Sequence, residues 1–203
     1  MSGATVLPLG LDEITTKWLS EALSAANPGV EVASVEIDRV VHGTASKALL
    51  RLTYNDARGD AGLPPTLCVK GGFRDALRKR VWGGLMLETR FYKLVAPQLT
   101  INIPRCYFAA IEESSRQAVV VLEDLSARGV QFMGAEAPLE PDAVAAMLTL
   151  PARLHAQWWG RADLNQFNGW QDPMRVHALA VAAGTVGGVP GNAARRTRAV
   201  GVT

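Results

Sequence analysis

Two residues of opposite charge, Lys70 and Glu88, are the strongest candidates for chemistry in this chain. Lys70 directly follows the apolar run Leu67–Val69, which predicts a buried strand, so its ammonium lies where the strand leaves the core. Glu88 falls among the apolar positions of a helical pattern over Leu85–Leu99. A carboxylate on an inward helix face is costly unless it is paired, and Lys70 is the available cation upstream. The spacing therefore predicts an ion pair between a strand and a helix.

Both residues also have a purely structural interpretation. A lysine at a strand end often extends its ammonium to solvent, and Glu88 could equally stand exposed on the shoulder of its helix. The order of the segments favours a functional interpretation. A strand lysine and a helix glutamate are followed by an apolar strand, Ala118–Leu125, that runs into a short polar link. This is the order of parts in the nucleotide-binding lobe of a kinase.

A turn of small residues, His42–Lys47, joins two predicted strands. Small side chains would let its backbone N–H groups approach a phosphate. A single glycine between two strands is equally typical of a simple hairpin turn. The candidate site residues in this turn are Gly43, Thr44 and Ser46.

Periodicity predicts the elements that must position these residues. Leu11–Ala26 has the spacing of an amphipathic helix, and the charged segment Arg74–Arg80 is expected to be exposed. A long helix is predicted from Glu140, with a kink or a division into two helices at Pro151. The strands other than the one before Lys70 are predicted at Val32–Val41, Ala48–Tyr54, Ile103–Ile111 and Gln117–Leu125.

The composition is that of an ordinary globular protein. The 203 residues are 48% hydrophobic and 20% charged, with a net charge of +2, which gives no reason to expect a nucleic-acid or membrane partner. Arg195, Arg196 and Arg198 predict a solvated tail, a nucleic-acid contact being the weaker alternative. Cys68 and Cys106 lie in apolar runs and predict buried free thiols. Without a secretory leader or a membrane span, a cytoplasmic location is expected.

Five segments, taken in order, resemble the aminoglycoside phosphotransferase and choline kinase group, most closely its ecdysteroid kinase-like (CHK-type) branch. They are Val69-Lys70-Gly71-Gly72, Glu88 with Phe91-Tyr92, Ile103-Pro104-Arg105-Cys106-Tyr107, Val121-Leu122-Glu123-Asp124-Leu125 and Leu154-His155-Ala156-Gln157-Trp158-Trp159. The resemblance covers about 32–159. It implies an α+β, protein-kinase-like fold, in which an antiparallel sheet with one main helix precedes a helical lobe. It also implies the use of ATP and Mg²⁺ to phosphorylate a hydroxyl on a small molecule.

The resemblance also assigns roles to residues. Lys70 would hold the α- and β-phosphates of ATP, and Glu88 would orient Lys70 through their ion pair. His155 is interpreted as a packing residue. The turn that covers the phosphates would contain Gly43, Thr44 and Ser46. The hinge whose backbone bonds adenine would be Glu123, Asp124 and Leu125.

The sequence after Trp159 departs from the family. It has no H-x-D-x-x-x-x-N loop and no later magnesium-binding Asp motif, so no catalytic residue and no metal ligand is assigned. The tail 184–203 lacks acidic, aromatic and leucine residues and is typical of a GC-rich gene translated in the wrong frame. The alternative is a genuine short relative with a disordered tail. The acceptor substrate and the oligomeric state are not predicted.

These observations predict four regions and one function. The regions are an N-terminal helix (1–31), a kinase-like N-lobe (32–125), a hinge with the start of a truncated helical C-lobe (126–183), and a disordered or frameshifted tail (184–203). The expected function is that of an ATP-dependent phosphotransferase truncated before its catalytic loop and inactive as given. The alternative is a non-catalytic nucleotide-binding or scaffolding module.

Overall fold

The computed structural model describes residues 5–55, 62–130, 132 and 138–160. They belong to one compact unit, Met1–Trp170, and form an α+β fold with a five-stranded antiparallel sheet. The strands are β1 (Val32–His42), β2 (Ser46–Tyr54), β3 (Thr66–Gly71), β4 (Cys106–Glu112) and β5 (Gln117–Glu123). The α-helices in the described residues are α1 (Thr16–Ser24), α2 (Asp75–Arg90) and α3 (Pro141–Trp158). The predictions for the arginine cluster and for the 184–203 tail fall outside the described residues.

The sheet order is β1-β2-β3-β5-β4. All neighbouring strands are antiparallel, and their register places Lys47 of β2 opposite Lys70 of β3. In the next row of the same face, Leu49 is opposite Cys68, and Cys68 is opposite Leu122. Because side chains alternate along a strand, these rows share one face, and the residues between them point to the other.

The other face of the sheet carries the main hydrophobic core, which α1 covers. The buried strand residues in this core include Leu50, Leu52, Leu67, Val69 and Val121. From α1 they meet Trp18, Leu19, Ala22 and Leu23. The first described segment joins the same core, since Leu7 is buried there. The core therefore lies on the side of the sheet away from Lys70.

The face that carries Lys70 is partly covered by α2. Leu85 of α2 packs with Ala45 and Ala118 in a smaller buried cluster, to which Val81 and Trp82 add half-buried surface. The next row of this face contains the half-buried Leu49 and Cys68 and the buried Leu122, and it lines a cleft.

The prediction that Arg74–Arg80 is exposed is wrong at Arg78. The helix starts at Asp75 rather than at Leu85, and Arg78 is only 5% exposed. Its guanidinium donates to the carbonyl oxygens of Gly72 (3.0 Å), Ser115 (3.2 Å) and Leu9 (3.4 Å), and to Asp75 Oδ1 (2.6 Å). A buried cation is tolerated when its donors are satisfied in this way.

The first two predicted helices differ from their expected bounds. The pattern over Leu11–Ala26 is divided into a 3₁₀ turn, Leu11–Glu13, and α1. The division comes at Thr15, whose Oγ1 accepts a hydrogen bond from the N–H of Trp18 (3.2 Å) and caps α1. The pattern over Leu85–Leu99 ends as an α-helix at Arg90. The chain continues as a π-helical segment, Phe91–Val95, and then as a 3₁₀ turn, Ala96–Gln98.

Of the two alternatives predicted at Pro151, a kink or a division into two helices, the division is wrong, because α3 runs through Pro151 as one helix. The helix tolerates the loss of the one backbone hydrogen bond that proline cannot donate. Its apolar side chains are exposed within the described residues, Met147 by 61% and Leu148 by 62%. No helix in the described ranges is long and apolar enough to cross a membrane.

Candidate functional site

The structure brings Lys70 and Glu88 into direct contact. Lys70 lies near the end of β3 and Glu88 in the last turns of α2, and Lys70 Nζ is 2.5 Å from Glu88 Oε1. The two side chains are 22% and 30% exposed, so water reaches the pair only in part. An ion pair with this degree of shielding holds its ammonium in one position more firmly than a fully exposed pair would.

The sequence positions this pair through the glycine that links β3 to α2. A Cβ at Gly72 would lie 2.6 Å from Arg78 Cγ and 2.9 Å from Leu85 Cδ1, so only glycine allows α2 to approach the sheet this closely. The Gly72 N–H donates to Gln117 Oε1 (3.0 Å), and Gln117 is fully buried. The link is therefore fixed from both sides, and with it the position of Glu88 over β3.

A cleft of about 400 Å³ opens beside the ion pair. Among the predicted site residues, those that line it are Lys70, Glu88, Glu123, Asp124 and Leu125. The turn residues Gly43, Thr44 and Ser46 are not among its lining residues. Ser46 is buried, and its Oγ lies 3.0 Å from His42 Nδ1, a contact that closes the hairpin. In this structure the turn is therefore a closed hairpin end rather than part of the cleft.

The cleft has further lining residues that the sequence interpretation did not assign to it. They are Arg39, Val41, Lys47, Leu49, Cys68, Tyr92, Pro104, Leu122 and Phe132. For several of these residues, the alternation of side chains between the two faces of a strand is the sequence signal that could have placed them in the cleft. Starting from Lys70, it places Cys68 on the same face, and the antiparallel register adds Lys47 and Leu49. The register itself is not readable from the sequence, which is why these residues were missed.

The cleft is polarised along the sheet. Cations occupy one end, where Lys47 and Lys70 are opposite each other. Leu49, Cys68 and Leu122 form an apolar row in the middle. Residues two apart on a strand are separated by about 7 Å, so the apolar row and the cation row lie side by side. The polar link Glu123–Leu125 follows at the opposite end.

Carboxylates at the link end are engaged by local partners. Glu123 Oε1 is 3.1 Å from Arg128 Nη1, and its other carboxylate oxygen accepts a hydrogen bond from the backbone N–H of Arg105 (3.2 Å). Asp124 is buried, and its Oδ1 accepts from the N–H of Ser126 (2.9 Å), which caps the 3₁₀ turn Leu125–Arg128. These contacts fix the backbone of the link. The carboxylates of Glu123 and Asp124 are both engaged in them.

Two weakly acidic groups in the cleft are held in their neutral forms. Burial raises the pKa of the Cys68 thiol to about 11; the charges of Asp124 and Glu88 raise it further, and those of Lys47 and Lys70 oppose the rise. Burial, followed by the charge of Glu88, raises the pKa of Tyr92 to about 12. Neither group is a nucleophile at neutral pH.

The described residues contain no cluster of three His, Cys, Asp or Glu side chains that could hold a metal ion. In comparisons with known proteins, no protein-family model, no curated protein and no solved structure matches the chain.

Proposed function

We propose that the described residues form the nucleotide-binding lobe of an ATP-dependent phosphotransferase of kinase-like fold, which acts on a hydroxyl of a small molecule. The observation that carries the proposal is the Lys70–Glu88 ion pair at 2.5 Å, on the wall of a cleft. In kinases the lysine of the third strand holds the phosphates, and a glutamate of the following helix orients it. Lys70 is on β3, and Glu88 is on the helix that follows.

The chemistry of the cleft supports a nucleotide as the ligand. A planar base requires an apolar surface, which Leu49, Cys68 and Leu122 offer. A polyphosphate requires cations, which Lys47 and Lys70 provide at one end of the cleft. The polar link Glu123–Leu125 at the other end would provide backbone groups for the edge of the base, as a kinase hinge does. The three surfaces are arranged in the order in which base and phosphates follow one another in a nucleotide.

A second candidate function is nucleotide binding without phosphoryl transfer. The observation that favours it is the state of the carboxylates in the cleft. Glu88 is paired with Lys70, Glu123 with Arg128, and Asp124 accepts from Ser126. Transfer needs a carboxylate that can accept the proton of the acceptor hydroxyl and others that hold Mg²⁺. The described lining carboxylates have other partners, so binding is the property that this cleft supports by itself.

Calorimetric titration of the chain with ATP tests the proposal. The wild-type chain is expected to bind ATP, and Lys70→Met to bind it about tenfold more weakly, because one charge-assisted contact to phosphate is lost. Lys17→Met removes an exposed lysine from α1, on the opposite side of the sheet, and should bind like the wild type. A wild-type chain that binds no ATP, or an unchanged affinity in Lys70→Met, would refute the site. A parallel assay for phosphate transfer separates the two candidate functions.

A further inference from the structure

Three cations on three adjacent strands line the same cleft: Arg39 on β1, Lys47 on β2 and Lys70 on β3. Lys47 and Lys70 are direct register partners. Side chains of register partners stand about 5 Å apart at their Cβ atoms, and like charges in that position destabilise a sheet. Lys47 and Lys70 therefore repel each other across the strands, and this repulsion lowers the stability of the sheet unless an anion compensates it.

Only one of the three cations has its charge balanced by a carboxylate of the described residues. Glu88 pairs with Lys70. Arg39 and Lys47 are exposed, and neither forms an ion pair within the part of the chain that the structure describes. The register partner of Lys47 is Lys70, whereas Arg39 is opposite Leu49, in the neighbouring row of the same face. The cleft therefore presents two uncompensated positive charges beside one that Glu88 holds in place.

The turn after β1 does not line the cleft in this structure. It has a single glycine, Gly43. Backbone N–H groups of a glycine-rich turn are the usual partners of phosphate oxygens above such a sheet. Here the strand side chains occupy the corresponding end of the cleft.

We propose that Arg39 and Lys47 act together with Lys70 as a strand-borne cation site for a linear polyphosphate, the triphosphate tail of a nucleotide. This inference rests on the proposed nucleotide-binding function and adds two binding residues to it. Arg39 offers a planar guanidinium that can bind two phosphate oxygens at once, and Lys47 offers a compact ammonium. A dianionic or longer phosphate chain relieves the repulsion between Lys47 and Lys70, whereas an uncharged nucleoside does not.

The test is calorimetric titration of the folded chain with three probes: ATP, adenosine and inorganic tripolyphosphate. The variants are Lys47→Met and Arg39→Met, with Lys17→Met as the control for loss of an exposed lysine. Each of the first two variants should weaken ATP and tripolyphosphate binding about three- to tenfold, the loss of one exposed phosphate contact. Adenosine binding should stay within about twofold of wild type, because no phosphate is involved. Circular dichroism establishes that each variant is folded.

The outcomes separate this inference from the function on which it rests. Tripolyphosphate binding that depends on Lys47 and Arg39, without binding of adenosine or preference for ATP, would uphold the cation site and refute the nucleotide function. ATP binding that neither substitution changes would uphold the function and overturn the inference. Equal losses for ATP and adenosine would overturn it too, since they would mean that the two residues shape the cleft rather than bind phosphate. A wild-type chain that binds none of the probes would overturn both.

Discussion

The carbonyl oxygen of Gly72 accepts a 3.0 Å hydrogen bond from the guanidinium of Arg78, in a contact that leaves no room for a Cβ at position 72. This contact joins the end of β3, where Lys70 lies, to the first turn of α2. Since Glu88 lies further along the same helix, the packing at Gly72 determines whether Glu88 reaches Lys70.

Gly72→Ala should lower the free energy of unfolding by about 1–3 kcal/mol, because the new Cβ forces α2 away from the sheet. Gly84→Ala is the matched control. Gly84 lies in the same helix, and a Cβ added there would have no atom within 4 Å, so alanine should stabilise the chain by about 0.5–1 kcal/mol. Urea denaturation measures both. Equal effects of the two substitutions would contradict the close approach of α2 to Gly72.

Arg78→Met should lower the free energy of unfolding by about 2–3 kcal/mol, because the carbonyls of Leu9, Gly72 and Ser115 would lose their charged donor in a buried place. Arg80→Met removes the same charge from an exposed position of α2 and should change stability by less than about 0.5 kcal/mol. Denaturant midpoints of the two variants give the comparison. An equally small loss of stability in both variants would mean that the buried hydrogen bonds of Arg78 do not stabilise the fold.

Stability should fall as the pH rises from about 9 to about 11. Burial raises the pKa of Cys68 and of Cys106 from 9.0 to about 11, so in this window the unfolded chain loses thiol protons that the folded chain keeps. The two neutral thiols contribute fully to the free energy of unfolding below about pH 9, and this contribution is lost as the pH rises past about 11. The double variant Cys68→Ala/Cys106→Ala should show a flatter profile of thermal midpoint against pH in this range. Both cysteines are half-buried rather than fully buried as predicted, and parallel profiles would mean that this burial does not keep the two thiols neutral.

ATP should protect Cys68 from alkylation. Cys68 lines the cleft, whereas Cys106 does not, and burial raises the pKa of both thiols to about 11. Iodoacetamide labelling at about pH 8.5, followed by peptide mass spectrometry, should show several-fold slower labelling of Cys68 with ATP and an unchanged rate at Cys106. Equal protection of both thiols would indicate general stabilisation of the fold instead of a ligand in the cleft.

The sequence predicted those parts of the fold that depend on local patterns. The apolar run before Lys70 and the helical spacing around Glu88 were sufficient to anticipate the ion pair. The burial of Arg78 could not be predicted, because its acceptors at Leu9 and Ser115 are distant in sequence and converge only in the folded chain. Charged segments without such partners are usually exposed, and exposure was therefore predicted for Arg74–Arg80.

The candidate site was predicted in part for the same reason. The link Glu123–Leu125 lines the cleft, since it continues directly from a strand that pairs with β3. The contribution of Lys47 depends on the register of β2 against β3, and a shift of one residue would turn it to the opposite face. The turn at Gly43 was assigned to the phosphates by resemblance, and its residues lie outside the cleft lining in this structure.

The proposed nucleotide site requires that Glu88 affects ATP binding through its ion pair with Lys70, and a double-mutant cycle on ATP affinity measures this coupling. Lys70→Met, Glu88→Gln and the double variant would be titrated with ATP by calorimetry, with circular dichroism to verify folding. We predict that each single substitution weakens binding, and that Glu88→Gln causes no further loss in the Lys70→Met background. Losses that add in the double variant would mean that Glu88 does not act through Lys70, and single variants that bind ATP as tightly as the wild type would refute the proposed site.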